Sequence, residues 1–550
     1  GGVFNDSTMV TSFANYYFEP SFVDTAGGDY RLSDQSAAIS SGRNSLGSGL
    51  TMPYVNFPGG STDGMDSFFY YDMSGTDVHG NPRISPSGSM VDIGAHENSS
   101  GVGSFVGREY VVSANSDYGN GSASQPFPTI NHAINAVTEF TGDTILVMDG
   151  TYVESLLLNG PNGYDHLTLK SQNGSSNTII QSAQADQGSC LNTGNDGANL
   201  TINGFTLTGG AGYQGAGGII NGETKLMNLM VTGNHAGSRG GGFVIHGGAI
   251  LENVEIAGNT VSEEGTGAGG GLLIEVLDNQ DIPQLINVEI RDNYAWKGGG
   301  LYVQNSDVKV SGSSFYSNDS YIDGGGLHFD NSTGQITRTN IFNNNALNRG
   351  GGLYSFSSSI NLDRVNFYNN TAQDVGGGYA IIHSSSPTIV NSIFYENKKS
   401  DDEPSQIFTE LGDGSELSIQ YTMLQGNVNG INSYGGWSVN DQGIGDFEPN
   451  FISPENNIFS LLASSMLINS GHPDSTDVDG SRADMGAHPY LNDYSGPNWF
   501  VSSTGGSDTT GIGSEENPFA SIQAGINFSV DGDIVNVGSG TYTENIYNKS

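Results

Sequence analysis

The sequence predicts an all-β fold, a right-handed parallel β-helix solenoid with three short strands per coil of about 26 residues, arranged in tandem modules. Three observations predict it. A glycine cluster returns at near-constant spacing, a short alternating segment follows each cluster, and a second, longer repeat copies whole segments at a shift of 392 positions.

The glycine clusters are Gly240-Gly241-Gly242, Gly269-Gly270-Gly271, Gly298-Gly299-Gly300, Gly324-Gly325-Gly326, Gly350-Gly351-Gly352 and Gly376-Gly377-Gly378, with a degenerate forerunner at Ala216-Gly217-Gly218. Their first positions lie 29, 29, 26, 26 and 26 residues apart. Behind each comes a segment such as Leu301-Tyr302-Val303 or Leu327-His328-Phe329, whose first and third residues are apolar. That is the period-2 mark of a strand with one buried face. A second strand follows, as in Val308-Lys309-Val310 or Ile360-Asn361-Leu362, and a third, as in Ser314-Phe315-Tyr316 or Asn366-Phe367-Tyr368. Asn234, Asn318, Asn344 and Asn370 each stand six residues before a glycine cluster. Asparagine accepts the left-handed conformation of a tight corner, and identical asparagines in successive coils can stack their amides. A leucine-rich repeat shares this period, but leucine does not dominate and the glycines occupy the place a helix would need.

The long repeat pairs Pro126-Phe127, Ala133-Ile134-Asn135, Gly142-Asp143-Thr144-Ile145 and Gly150-Thr151-Tyr152 with Pro518-Phe519, Gly525-Ile526-Asn527, Gly532-Asp533-Ile534 and Gly540-Thr541-Tyr542. Asp92-Ile93-Gly94-Ala95-His96 returns as Asp484-Met485-Gly486-Ala487-His488, and Glu19-Pro20-Ser21-Phe22-Val23 as Glu448-Pro449-Asn450-Phe451-Ile452. The expectation is the C-terminal part of a preceding module over 1–99, a complete module over 105–490 and the N-terminal cap of a following module over 498–550. On that reading the chain is a window cut from a tandem array.

Composition narrows the partners. A net charge of −41, from 17 Lys+Arg against 58 Asp+Glu, excludes nucleic acid as a partner. Cys190 is the single cysteine, so no intrachain disulfide forms. No apolar run of the length a membrane helix needs, about 18 residues, is present, so no transmembrane segment is expected. Gly1-Gly2-Val3-Phe4-Asn5 has neither the basic nor the apolar region of a signal peptide, and any such peptide is expected upstream.

The opening segment, from the Tyr110-Val111-Val112-Ser113 strand through Asp117-Tyr118-Gly119-Asn120-Gly121, Ala133-Ile134 and Gly150-Thr151-Tyr152, resembles the N-terminal cap of bacterial right-handed parallel β-helix proteins. Asp479-Gly480, Arg482 and Asp484-Met485-Gly486-Ala487-His488 look like the closing segment of the same group, large secreted and surface proteins with tandem modules, adhesins among them. The resemblance implies a secreted or cell-surface location. It also implies a helix around Ile130 to Val137 over the first coil, and an Arg482–Asp484 pair, mirrored by Arg83 and Asp92, closing the last. It does not select a function, because the group includes polysaccharide lyases and epimerases beside adhesins.

Candidate site residues follow from the coil register. The middle residues of the strands behind the glycines form a column expected to face outward: Val244, Leu273, Tyr302, His328, Tyr354 and Ala380, with Asp330 adjacent. Tyr302, His328, Asp330 and Tyr354 would be the ligand-binding strip, stacking sugar rings and bonding their hydroxyls. The strip itself has no Arg or Lys; Arg239, Lys297 and Arg349 stand just before the glycines. A lyase base is therefore poorly supplied, and no catalytic residue is assigned. Asp474, Asp477 and Asp479 before Gly480 resemble part of a calcium loop without its distal glutamate, and structural Ca²⁺ is the one cofactor considered. Asp72 and Asp77 ahead of Gly80 are the weaker counterpart.

The sequence thus favours an extracellular structural or adhesive protein, filament-forming through copies of itself or its tandem modules. The alternative is a secreted polysaccharide-binding or polysaccharide-degrading protein, a lyase or hydrolase if an enzyme, with a glycan as partner.

Overall fold

A computed structural model describes residues 22–24, 29–32 and 109–547, apart from short stretches at 118, 138–141, 159–166, 184–187, 195–198, 277–280, 384–385, 412–414 and 435–438. Arg83, Asp92, Asp72 and Asp77 lie outside the described residues. The chain divides into two compact units, Gly1–Thr138 with Asp143–Met148, and Glu139–Gly142 with Asp149–Ser550.

In the first unit Phe22–Asp24 pairs antiparallel with Asp29–Leu32, Phe22 opposite Leu32. Glu109–Val112 and Thr144–Val147 pair in parallel. The expected helix forms as α1, Ile130–Ala136, which packs on both of these strands. Thr129 caps it by accepting the His132 N–H, and Ile130, Ala133 and Ile134 share its buried face at the spacing a helix requires.

The second unit is a parallel β-solenoid. Eleven strands, from Leu156–Leu157 to Ile431–Ser433, stack in one sheet, and those behind the glycine clusters run in its middle. The coil from Gly324 shows the construction. Leu327–Asp330 is followed by Thr333–Phe342, which bends at Arg338 and so supplies the second and third strands. Leu327, Phe329, Ile336 and Ile341 point inward and are buried. A fourth strand of two residues, Asn345–Ala346, then closes the coil and pairs with Asp319–Ser320 and Thr371–Ala372 in a seven-stranded sheet of its own.

The asparagine ladder runs inside the coil. Asn234, Asn259, Asn293, Asn318, Asn344, Asn370 and Asn397 are all buried, and each Nδ2 donates to the Oδ1 of the next asparagine or, at the far end, to Gln406. Each Oδ1 also takes a backbone N–H, and each Nδ2 a backbone carbonyl, as Asn344 does with Asn318 and Phe315. A buried amide so engaged leaves no polar atom unpaid for desolvation. Cys190 ends the ladder, its thiol donating to Asn234 Oδ1 at 3.5 Å, and burial pushes that thiol up to about 11. The left-handed corner belongs to the residue before each of these asparagines, not to the asparagine: Gly233, Gly258, Asp292, Ser317, Asn343, Asn369 and Glu396 all have positive φ.

The closing segment does not sit over the last coil. It lies along the outer side of the solenoid, where Phe451–Ser453 and Ile458–Leu461 form an antiparallel hairpin in the same register as the first unit's, Phe451 opposite Leu461. Phe459 packs on Phe342 and Tyr368, which belong to successive coils. Gly486 N–H donates to Asn391, Ala487 N–H to Asn366 Oδ1, and His488 Nε2 lies 2.8 Å from Asn340 Nδ2. Arg482 and Asp484 serve separately: Arg482 Nε donates to the Gly471 carbonyl at 2.7 Å, while Asp484 accepts the N–H groups of Asn469 and Tyr490.

Beyond it, Asn498–Val501 pairs in parallel with Ile534–Val537, and helix α2, Ile522–Phe528, starts at a Ser521 cap. Glu544 accepts the Ile522 and Gln523 N–H groups, two of the donors a helix leaves unpaired at its start.

Candidate functional site

The glycine clusters decide what happens on the strip. Gly298, Gly324 and Gly350 have φ of +59°, +71° and +66°, and a Cβ on Gly324 would stand 2.5 Å from the Leu327 carbonyl oxygen. Only glycine makes so tight a turn cheaply. The turn folds the preceding residue back beside the strand that follows, and these preceding residues stack in their own row, Asp323 bridged to Arg349 and Arg349 to Val375.

Tyr302, His328 and Tyr354 are aligned in neighbouring coils as the register predicts, with ring centroids 4.8 and 4.6 Å apart. They face away from the inner core, between inward Leu301 and Val303 or Leu327 and Phe329, yet only 4%, 3% and 3% of their surface is accessible. Val244, Leu273 and Ala380 in the same column are fully buried. Expected as a surface, the column is a second, thin core: Val244, Ala268, Leu273 and Tyr302 form one apolar cluster, and Tyr354, Ala380, Ile382 and Phe408 another.

Polar groups frame it. Tyr302 Oη donates to Asp330 Oδ2 at 3.2 Å, and His328 Nδ1 donates to the Asp323 carbonyl at 3.2 Å, which fixes the tautomer because a carbonyl only accepts. Arg349 grips Asp323 with two bonds, Nε to Oδ1 at 3.1 Å and Nη2 to Oδ2 at 2.9 Å, and its guanidinium lies 4.9 Å from the Tyr354 ring centre. Arg239 reaches Glu275 at 2.9 Å and, two coils away, Gln304 at 3.0 Å. Both arginines, set apart from the strip in the sequence reading, belong to it. Their position immediately before the turn was the signal. Burial pushes His328 down to about 3 and raises the Tyr302 and Tyr354 hydroxyls, with Asp330 adding to the rise at Tyr302 and Asp323 at Tyr354.

The calcium-loop aspartates take separate partners. Asp474 is exposed, and its N–H donates to His472 Nδ1. Asp477 is buried against Arg364 at 3.7 Å and accepts the Asp484 N–H; burial raises its carboxyl above the ordinary range. Asp479 accepts Ser481 and Asn492 N–H groups, which outweigh its partial burial and hold it low. Among the described residues no group of three or more His, Cys, Asp or Glu is placed to hold a metal ion. No described helix is long and apolar enough to cross a membrane.

A second aromatic column escaped the sequence reading. Trp296 and Tyr321 extend the two-residue strands Tyr294–Ala295 and Asp319–Ser320, and their rings stack at 4.0 Å. Tyr294 and Tyr321 remain 42% and 46% exposed.

Comparison with known proteins bears on the solenoid. The family model described as "Right handed beta helix region" matches residues 272–444. No curated protein sequence matches the chain. Similar solved structures include the pectate lyase Pel9A, at 14% identity over 71% of this chain and 98% of that one with a TM-score of 0.39. XylC in complex with xylose matches at 12% identity over 62% and 87%, with a TM-score of 0.40. The pectin methylesterase PemA from Erwinia chrysanthemi matches at 13% over 59% and 80%, with a TM-score of 0.20. At these identities and scores nothing about the activity of this chain follows from them. Its own parallel coils, together with the matching family model, make residues 272–444 a right-handed β-helix region.

Proposed function

We propose that this protein is an extracellular structural spacer in which tandem β-helix modules follow one another through stiff joints. The observation that carries this reading is the packing between the closing segment and the segment 498–547. Ala463 joins Trp499, Val501, Phe519 and Ala524 in one buried cluster. Asn527, itself buried, donates to the carbonyls of Ala463 and Ser465 at 2.9 and 2.7 Å. Tyr490 Oη and Asn492 Nδ2 bond the Gly511 and Ile512 carbonyls from the other side. A loose linker between independent domains would carry neither buried apolar side chains nor saturated amides. A packed joint transmits direction from one module to the next, which a spacer or fibre needs and a tethered enzyme does not. The buried strip suits the same role, since its rings and ion pairs are spent on neighbouring coils.

The test is a distance measurement across the joint. Spin labels are placed at Ser400→Cys and Thr509→Cys, both exposed, while buried Cys190 with its raised thiol stays unlabelled. One narrow distance distribution is expected, broadening in Asn527→Ala and Trp499→Ala. A broad distribution in the otherwise unaltered chain would overturn the proposal.

A further inference from the structure

Tyr294, Trp296, Tyr321 and Leu347 stand together on one side of three successive coils. The pairing of Tyr294 with Asp319, and of Asp319 with Asn345, carries Trp296, Tyr321 and Leu347 into one column. The next position along it is Ser262, small and exposed, so the indole has no bulky neighbour on that side. Tyr294, Tyr321 and Leu347 are each 42–46% exposed, although all four side chains are large and apolar. Carboxylates outnumber cations in the flanking sequence: Asp292, which pairs with Arg291, and Asp319 are exposed, as are Glu263 and Glu264 on the turn of the neighbouring coil, against Arg291 and Lys297.

The buried strip spends its rings on each other and on the turn that covers them. Among the described residues this column makes one ring contact, Trp296 on Tyr321. We propose that Tyr294, Trp296 and Tyr321 are a docking platform for a neutral oligosaccharide. Two observations select that occupant. A fully buried aromatic ring contributes about 150–250 Å², so Tyr294 and Tyr321, nearly half exposed, and Trp296, partly exposed with its indole nitrogen buried, offer on the order of 200–300 Å². A stable protein partner or second copy requires about 800 Å² per side, more than this column supplies. Charge then separates the glycans. A chain of net charge −41, with carboxylates around the platform, repels uronates and sulfated polymers and leaves uncharged sugars unopposed. Their C–H faces lie on aromatic rings while their hydroxyls donate to carboxylates.

The experiment titrates the full chain with cellohexaose, xylohexaose, mannohexaose and hexagalacturonate by calorimetry, with sedimentation velocity alongside. At least one neutral hexaose binds, about tenfold more weakly in Trp296→Ala and in Tyr321→Ala, and with unchanged affinity in Tyr302→Phe, which alters the buried strip. Circular dichroism and thermal unfolding confirm that each variant is folded. The proposal is overturned if no neutral hexaose binds, if hexagalacturonate alone binds, if Tyr302→Phe abolishes binding while Trp296→Ala does not, or if Trp296→Ala instead abolishes a dimer.

Discussion

Two aromatic columns run along the same coils, separated only by the glycine turn. Tyr302, His328 and Tyr354 follow it; Trp296 and Tyr321 precede it. Those behind the turn are covered by the chain that folds back over them: Tyr302 Oη is taken by Asp330, His328 Nδ1 by the Asp323 carbonyl, and the Tyr354 ring lies under the Arg349 guanidinium. Those ahead of it remain partly in solvent. Aromatic character in successive coils therefore says nothing by itself about recognition. The local backbone decides whether a ring column becomes core or surface.

Breaking the turn gives the largest effect. In Gly324→Ala the new Cβ meets the Leu327 carbonyl and the His328 Cβ, at a φ that side chains avoid. A loss of about 2–4 kcal/mol is expected in urea unfolding. A change below about 0.5 kcal/mol would show that the turn does not hold the cover in place.

Acid tests the buried column next. His328 is held neutral, its folded pKa of about 3 lying below the ordinary 6.5. The unfolded chain binds the proton first, so the contribution is complete above about pH 6.5 and is lost as pH falls toward 3. His328→Gln should lower stability at pH 7 and flatten this acid limb. Parallel stability curves for the two proteins between pH 7 and 4 would contradict the assignment.

The smallest effect belongs to the exposed column. Tyr321→Ala should cost about 1 kcal/mol or less, because its ring is almost half in solvent and stacks on one neighbour. A cost rivalling that of Gly324→Ala would make this column structural as well and remove the contrast.

Much of the coil was legible because its determinants recur. The Gly324 and Gly350 turns, the Leu327-His328-Phe329 alternation and the 26-residue step placed His328 beside Tyr302 and Tyr354 correctly. Burial of those rings was not legible. Period 2 shows which side chains face away from the core but not what lies over them, and here Asp323 and Arg349 cover that side from just before the turn. Asn345–Ala346 and its equivalents were missed because two residues have no period to read. That gap also hid Trp296 and Tyr321, each the single residue after such a strand. The side-docking of Phe459 on Phe342 and Tyr368 was hidden for another reason: it is a long-range contact, and the repeated segment shows that a unit recurs without saying which surface it covers.

The asparagine ladder has a further consequence. Its successive rungs are 25, 34, 25, 26, 26 and 27 residues apart in sequence, yet the amides bond at nearly the same distance throughout. The longest step carries its surplus in two places, between Asn259 and Leu272 and between Ile274 and Gln284, while the strands on both sides keep register with their neighbours, Leu272 with Leu301, Ile274 with Val303 and Gln284 with Lys309. Chain length at these two corners is thus uncoupled from coil geometry. Such a corner is a port at which a loop can be lengthened, diversified or replaced by a foreign peptide, displayed at the surface of a scaffold whose inner rungs do not register the change.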